Sequence, residues 1–247
     1  MTKAEIQFVR SLADKRTRDS EGLFIAEGDK LVEEIIASGL NIRNLYTTHK
    51  DFGVHSATLV ERSEMERISQ LKSANSTLAV VEQPRYKLDE RALRESLVLA
   101  LDGVQNPGNL GTIIRLADWF GVEDILCSKE CADIYNPKVV QATMGAILRV
   151  RVHYVDDLAS LLNRLNVSGM PIYGTLLDGE NIYTKQLSSN GVIVMGNEGR
   201  GLSDACRASV SERLFIPPYP IDTPTSESLN VAMATGIILA EFRRAVK

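Results

Sequence analysis

Arg115 and the turn that precedes it are the first residues in this chain whose types and spacing indicate chemistry. The sequence predicts a strand that ends near Val104 and a helix that begins near Leu110, with a proline- and glycine-rich turn over 107–111 between them. Open α/β sheets bind ligands at such a strand end. An isolated arginine on a helix is, alternatively, a solvated surface residue.

A second polar turn follows the apolar run Val192 to Met195 and reads Gly-Asn-Glu-Gly-Arg-Gly over 196–201. Its three glycines beside Asn197, Glu198 and Arg200 suggest backbone packed around a ligand. The order of the glycines differs from the G-x-G-x-x-G turn of dinucleotide-binding proteins, which counts against a protein that binds NAD. A plain loop between a strand and a helix is the open alternative.

A third segment, Ser226 to Ile237, begins with polar residues and continues as an apolar helix. Ser226 or Ser228 is predicted to cap that helix, and helix capping and turn formation are the alternative roles of Ser228 and Asn230. Small residues form one stripe along this helix, and large apolar residues form the adjoining stripe. Together they indicate a broad apolar face that needs a close partner. Part of that face could serve a dimer interface.

The elements that must position these three segments form an α/β pattern from Leu97 onward. Short apolar runs, including Ile147 to Val152, alternate with helical stretches, which predicts a parallel sheet covered on both faces. The N-terminal part mixes strands with helices. One helix is predicted from Asp29 to Ser38, and another opens at a Ser63–Glu66 capping box. The polar stretch around 83–95 predicts a boundary between domains 1–90 and 91–247.

Charge, apolar content and cysteine count limit the kinds of partner and compartment that suit this chain. The formal net charge is −4, which argues against a protein held to nucleic acid by its global charge. The first eighteen residues nevertheless carry five basic and two acidic side chains, and Lys15, Arg16 and Arg18 are the candidate RNA contacts. A solvated helix end is the alternative. No apolar run suits a membrane span or a secretory signal. Three cysteines without paired spacing suggest a cytoplasmic protein with no metal site.

The three segments together resemble the SpoU family of the SPOUT methyltransferase superfamily. The matching stretches are NPGNLGTIIR, IVMGNEGRGLS and ESLNVAMATGI, with NPKVVQATMGAILRV between the first two. The N-terminal FIAEGDKLVEEIIASGL resembles the RNA-binding domain of that family, which has an L30e-like fold. The resemblance implies a C-terminal parallel sheet tied into a trefoil knot and a smaller N-terminal α/β domain.

The resemblance also implies an activity: S-adenosylmethionine-dependent methylation of a ribose 2′-hydroxyl in RNA, by a homodimer whose active site takes residues from both subunits. By position, the catalytic residues are Asn109, Arg115, Glu198, Ser228 and Asn230. The residues expected to line the cofactor site are Gly196, Ile216 and Leu229, with Thr175 at its border. We expect Arg115 to grip the target phosphate and to favour the developing alkoxide electrostatically.

The target RNA is less constrained than the reaction. Ribosomal RNA is the first expectation and transfer RNA the alternative, while a catalytically silent RNA-binding or ribosome-binding protein is a further reading. One departure from the family pattern lies at Pro218 to Glu227, where the link is longer and Pro218 replaces the usual Met. This departure makes Ile216 the cofactor contact most exposed to change.

Overall fold

The computed structural model describes residues 1–52, 56–220, 226 and 228–245. The chain divides into two compact units. The first comprises Met1–Arg85 and Asp133–Leu148, and the second comprises Tyr86–Ala132 and Arg149–Lys247. Residues 133–148, which the sequence had assigned to the C-terminal domain, therefore pack within the first unit.

The first unit contains a four-stranded sheet with helices around it. Its strands are β1 (Leu23–Glu27), β2 (Ile42–Thr47), β3 (Thr58–Leu59) and β4 (Thr77–Glu82), in the spatial order β1-β4-β2-β3. Strand β4 pairs antiparallel with both β1 and β2, whereas β2 and β3 are parallel. Its helices are α1 (Lys3–Ser11), α2 (Lys15–Glu21), α3 (Asp29–Ser38) and α4 (Arg62–Ile68), with α7 (Pro137–Thr143) and a 3-10 turn, Ala146–Leu148, from the second segment.

Two helix predictions in this unit have different outcomes. Helix α3 spans Asp29–Ser38 as predicted, because Val32 and Ile35 are buried and Gly39 ends it in the left-handed conformation. The predicted Ser63–Glu66 capping box is wrong by two residues. Helix α4 begins at Arg62, and Glu61 and Glu64 form the reciprocal capping pair.

Residues 133–148 belong to the first unit because their side chains complete its interior. The Asp133 carboxylate accepts a hydrogen bond from the Arg18 guanidinium at 2.5 Å, and Arg18 is only 2% exposed. The ring of Tyr135 packs on Phe24 of strand β1, with 4.9 Å between centroids. Local sequence patterns do not reveal this return of the chain to the first unit.

The second unit is built on a six-stranded parallel sheet, which confirms the predicted fold class. Its strands are β5 (Leu97–Leu101), β6 (Asp124–Ser128), β7 (Arg151–Val155), β8 (Ile172–Asn181), β9 (Gly191–Met195) and β10 (Glu212–Phe215), in the order β10-β8-β9-β5-β6-β7. The helices of this unit are α5 (Glu90–Leu93), α6 (Pro107–Trp119), α8 (Leu158–Val167), α9 (Asp204–Ala208) and α10 (Val231–Ala245). The trefoil knot implied by the resemblance stays a prediction.

Burial explains the strand patterns of this sheet. Every residue of β5, β6 and β9 is buried, as expected for central strands covered on both faces. The edge strand β7 begins at Arg151, so the predicted strand from Ile147 is wrong at its start. Ile147 is buried in the 3-10 turn of the first unit, which accounts for the apolar residues that suggested a strand.

Neither a membrane-spanning helix nor a three-ligand metal cluster occurs in the residues that the structure describes. No helix there is long and apolar enough to cross a membrane. Over those same ranges, no group of three or more His, Cys, Asp or Glu side chains is arranged to hold a metal ion.

Candidate active site

The ends of strands β5 and β9 bring the first two polar segments together. The strands are parallel neighbours, with Leu101 opposite Met195, and the Asp102 amide donates to the Met195 carbonyl at 2.9 Å. Parallel strands end at the same edge of a sheet, so the loops that follow them share this edge.

Asn106 starts helix α6 and thereby places Asn109 in its first turn. The Asn106 side-chain oxygen accepts hydrogen bonds from the amides of Gly108 and Asn109 at 2.8 and 3.1 Å, and Pro107 occupies the first helical position. Asn106 is not among the residues that the motifs predict for the site. The Asn-Pro pair before an apolar helix is the signal that could have identified it as the cap.

Glu198 joins the second segment to the start of this helix. One carboxylate oxygen accepts from the Asn109 side-chain amide and the Asn106 backbone amide, both at 3.0 Å, and the other accepts from the Gln105 amide at 3.3 Å. Partial burial by itself raises the pKa of Glu198, but the hydrogen bonds from Asn109 and the backbone amides outweigh it and lower the pKa below the usual value. Glu198 is therefore ionised at neutral pH, beside the positive end of the α6 dipole.

Asn230 connects the third segment to the same side chain. Its Nδ2 donates to Asn109 Oδ1 at 3.0 Å, and its Oδ1 accepts from the amides of Ala232 and Met233 at 3.0 and 3.3 Å. Asn230 therefore caps helix α10, so the prediction of a Ser226 or Ser228 cap is wrong.

The hydrogen-bond directions along this network are mutually consistent. The ionised Glu198 only accepts, so Asn109 must present its Nδ2 to Glu198 and its Oδ1 to Asn230. Asn230 then presents Nδ2 to Asn109 and Oδ1 to the helix amides, which only donate. One relay from Glu198 through Asn109 to Asn230 thus fixes both amide orientations.

The structure brings together three of the five predicted catalytic residues. Arg115 lies in α6, six residues beyond Asn109, where it is exposed and has no hydrogen-bond partner within the described ranges. Ser228 is likewise exposed and outside the hydrogen-bond network of those residues. The catalytic roles of all five stay predictions.

Two of the four residues predicted to bind the cofactor, Gly196 and Ile216, lie at the ends of strands. Gly196 follows β9, Ile216 follows β10 and Leu229 precedes α10, while Thr175 in β8 donates its hydroxyl proton to the Val194 carbonyl at 3.2 Å. Strands β10, β8 and β9 are adjacent in the sheet. Part of the link that the sequence analysis singled out, residues 221–225 and 227, lies outside the described residues.

The loop that follows Gly196 leaves no room for a side chain at this position. A Cβ at this position would lie 2.3 Å from the carbonyl carbon of Gly201, because the 196–201 loop folds back on its own start. Gly196 is thus required by loop geometry, and Gly201 has a left-handed φ of 69°, whether or not a ligand also approaches them.

The three predicted RNA contacts, all in the first unit, differ in their surroundings. Arg16 is exposed and unpaired among the described residues, and Lys15 is exposed with an ion pair to Asp19 at 2.6 Å. Arg18 is buried, donates to the carbonyls of Leu12 and Ala13, and pairs with Asp133. The prediction that Arg18 contacts RNA is wrong, because its guanidinium is committed to the interior of the first unit.

Comparison with known proteins agrees with this geometry. The model of the SpoU rRNA Methylase family matches residues 96–240, and that of the MRM3-like substrate binding domain matches residues 3–85. A 23S rRNA (guanosine(2553)-2′-O)-methyltransferase of Bacillus subtilis is 28% identical over 242 residues, which cover 95% of this chain and 94% of that protein.

Two solved structures resemble the whole chain. One, from Porphyromonas gingivalis and assigned to the TrmH family of RNA methyltransferases, is 36% identical, with a TM-score of 0.89 over 99% of this chain and 98% of the other. The other is an AdoMet-bound rRNA methyltransferase of Sinorhizobium meliloti, 29% identical, with a TM-score of 0.85 over 100% and 97%. The motifs, the sheet and these matches agree, and the chain belongs to the SpoU rRNA methylase family.

Proposed function

We propose that the protein transfers the methyl group of S-adenosylmethionine to a ribose 2′-hydroxyl of 23S ribosomal RNA. The observation that carries this proposal is the relay Glu198–Asn109–Asn230, which joins all three polar segments at one edge of the parallel sheet. Membership of the SpoU family and full-length similarity to enzymes named for this reaction support it.

The residues near this edge fit the cofactor. Among the described residues, the backbone N–H groups of Gly196, Ile216 and Leu229 have no hydrogen-bond partner, although Gly196 and Ile216 are half-buried. Unpaired backbone groups in such positions are rare unless a ligand or water binds them. Leu229 adds an apolar side chain that is 49% exposed. These residues would hold the adenosine part of S-adenosylmethionine, which supplies a sulfonium methyl group when bound.

The protein's own task is to place the ribose and to manage its proton. A 2′-hydroxyl is a poor nucleophile, and orientation for in-line attack can contribute roughly 7–11 kcal/mol. The relay holds Asn109 and Asn230 in single orientations, which suits them to fix the ribose. Arg115 would bind the neighbouring phosphate with its planar guanidinium and stabilise the alkoxide that develops as the hydroxyl gives its proton to water.

Ribosomal RNA is favoured over transfer RNA as the substrate by the extent of the similarity. The Bacillus subtilis relative, named for 23S rRNA, matches along nearly the whole chain, including the N-terminal unit. That unit matches a substrate-binding family model over residues 3–85. We place the RNA contacts of this unit at Lys15 and Arg16, which remain exposed.

We also propose that the protein is a homodimer. Trp119 of α6 is 82% exposed and Met233 of α10 is 63% exposed, and these two helices pack against each other. Large apolar side chains that are exposed on adjoining helices are typical of an interface. Arg115 lies one turn before Trp119 on the same face, so a partner that covers Trp119 would receive Arg115 in its own active site.

Mixing two inactive variants tests this arrangement. We expect Arg115→Ala and Asn109→Ala homodimers each to lose activity. After subunit exchange, mixed dimers contain one intact site if Arg115 acts across the interface, so activity should return to about a quarter of the wild-type value. No recovery would contradict action across the interface, and a monomer in sedimentation velocity would contradict the dimer.

The proposed reaction itself is tested by RNA mapping and by transfer assays. Ribose methylation should disappear from one 23S rRNA nucleotide in a deletion strain, and purified protein should restore it on RNA from that strain with S-adenosylmethionine. The Asn109→Ala variant is the negative control. Cofactor binding without transfer to any RNA would favour the catalytically silent reading, and stabilisation by NAD instead of S-adenosylhomocysteine would favour a dinucleotide-binding protein.

We place this activity in the cytoplasm. The three cysteines are buried and free, which is the usual state of thiols in that reducing compartment. Fractionation of the native cells would test this location.

A further inference from the structure

The side chain of Asn197 fixes the loop between β9 and α9. Its Nδ2 donates to the Gly103 carbonyl at 2.7 Å, while its Oδ1 accepts from the amides of Gly199 and Arg200 at 3.0 and 3.1 Å. Its backbone exchanges two hydrogen bonds with Gly201, each of 2.9 Å. Asn197 therefore ties the loop to the end of β5 and closes it on itself, which holds the backbone of Arg200 in place.

Arg200 presents an unpaired positive charge from this fixed backbone. Its side chain is exposed and has no ion pair or hydrogen bond among the described residues. Two other exposed arginines close to it in sequence, Arg207 and Arg213, both pair with Asp178, at 3.1 and 2.6 Å. Arg207 and Arg213 thus share a carboxylate partner that Arg200 lacks among the described residues.

Glu198 does not neutralise Arg200 although it is two residues away. Its carboxylate oxygens accept hydrogen bonds from Gln105, Asn106 and Asn109. Those donors occupy the positions from which a bidentate pair with an arginine would form. Among the described residues, Arg200 is thus an unpaired cation on the same short loop as Glu198, a member of the relay.

We propose that Arg200 binds a backbone phosphate of the RNA next to the target ribose. A guanidinium offers a planar fork of donors that matches a phosphate, and a fixed backbone lowers the entropy lost on binding. A chain with a net charge of −4 must bind RNA through such local cations. This inference rests on the proposed function, because it assigns the substrate of the same site.

The test compares Arg200→Gln with Arg207→Gln, an exposed arginine of the adjacent helix that already has a carboxylate partner. The probe is unmodified 23S rRNA transcribed in vitro, and its dissociation constant is measured at several salt concentrations. We expect Arg200→Gln to weaken binding about five- to tenfold and to reduce the salt slope by about 0.7, the value for one lost phosphate contact. Arg207→Gln should change neither quantity, and both variants should bind S-adenosylmethionine as the wild type does.

A second comparison separates phosphate binding from a structural role. In the Asn197→Ala background, where the loop is released, Arg200→Gln should cost less RNA affinity than it costs alone. Wild-type affinity and salt slope in Arg200→Gln, or equal losses in Arg207→Gln, would overturn the proposal. If RNA binds in this manner but is never methylated, the proposed function fails while the assignment of Arg200 stands.

Discussion

Asn109 contacts the other two polar segments through a single amide group. Its hydrogen-bond partners are 89 and 121 residues away along the chain. Motif resemblance predicted Asn109, Glu198 and Asn230 as members of one site. The relay that joins them was not predictable, because hydrogen bonds between distant segments depend on strand order, which short motifs do not encode.

The role assigned to Arg115 predicts that lysine cannot replace it. Arg115→Lys keeps the charge but loses the planar fork, so turnover should fall on the order of 100-fold while cofactor affinity is unchanged. Methyl transfer at saturating RNA measures this. Arg164→Lys, which alters an exposed arginine paired with Glu90, is the control and should be fully active. Near-wild-type turnover in Arg115→Lys would contradict the proposal that the Arg115 guanidinium binds the phosphate through two donors.

Asp124 makes a pH-dependent contribution to stability. Burial alone raises its pKa, but hydrogen bonds from His153 and Arg151 lower it to about 2. A lowered pKa means that the stabilisation is fully present above the unfolded value near 3.8 and is lost as pH falls through about 2.

This linkage predicts a loss of about 2 kcal/mol of unfolding free energy between pH 4 and pH 2 from Asp124 alone. Urea unfolding at several pH values measures the wild type against Asp124→Asn. The variant should be less stable at neutral pH and should lose less stability on acidification over that range. Parallel curves for the two proteins would contradict the assignment to Asp124.

At the scale of the element, helix α6 is positioned by its cap. The Asn106 side chain satisfies two amides of the first turn, and the Glu198 carboxylate satisfies the amide of Asn106 itself. The apolar face of α6 was readable from the sequence because Leu110, Ile113 and Ile114 follow helical spacing and are buried. Its first residue was placed three positions late, because the cap was overlooked.

The cap predicts a graded effect of substitution. Asn106→Ala should lower the unfolding free energy by about 1 kcal/mol, and Asn106→Ser should restore most of it, because serine is also a good cap. Denaturant unfolding gives both values. Turnover should fall with Asn106→Ala as well, since the first turn carries Asn109. Stability equal to wild type in the alanine variant would show that the cap contributes nothing.

At the scale of the whole molecule, the first unit is discontinuous in sequence. Composition predicts a boundary near residue 90, and the first segment of this unit ends at Arg85. The return of residues 133–148 escaped prediction because the apolar residues of that stretch look like part of the following α/β pattern. The contacts of Asp133 with Arg18 and of Tyr135 with Phe24 show that it belongs to the first unit.

A fragment of residues 1–85 is therefore expected to lack part of the interior of the first unit. Removing 133–148 takes the carboxylate from Arg18 and uncovers Phe24, so the fragment should unfold with low cooperativity. Joining 133–148 to it through a flexible linker should restore a sharp urea transition. In the full chain, Asp133→Ala should cost about 3 kcal/mol, because it leaves a buried charge unpaired. A cooperative transition in the 1–85 fragment as sharp as in the linked version would contradict this expectation.

The return of residues 133–148 to the first unit also limits which segments can be exchanged between related proteins. An exchange at a single point near residue 85 would combine residues 1–85 of one protein with residues 133–148 of another, although both segments belong to the first unit. Arg18 of one protein would then face residue 133 of the other, which was selected to pair with a different residue at position 18. Functional chimeras should therefore require two exchanged segments, and natural changes at positions 18 and 133 should be inherited together.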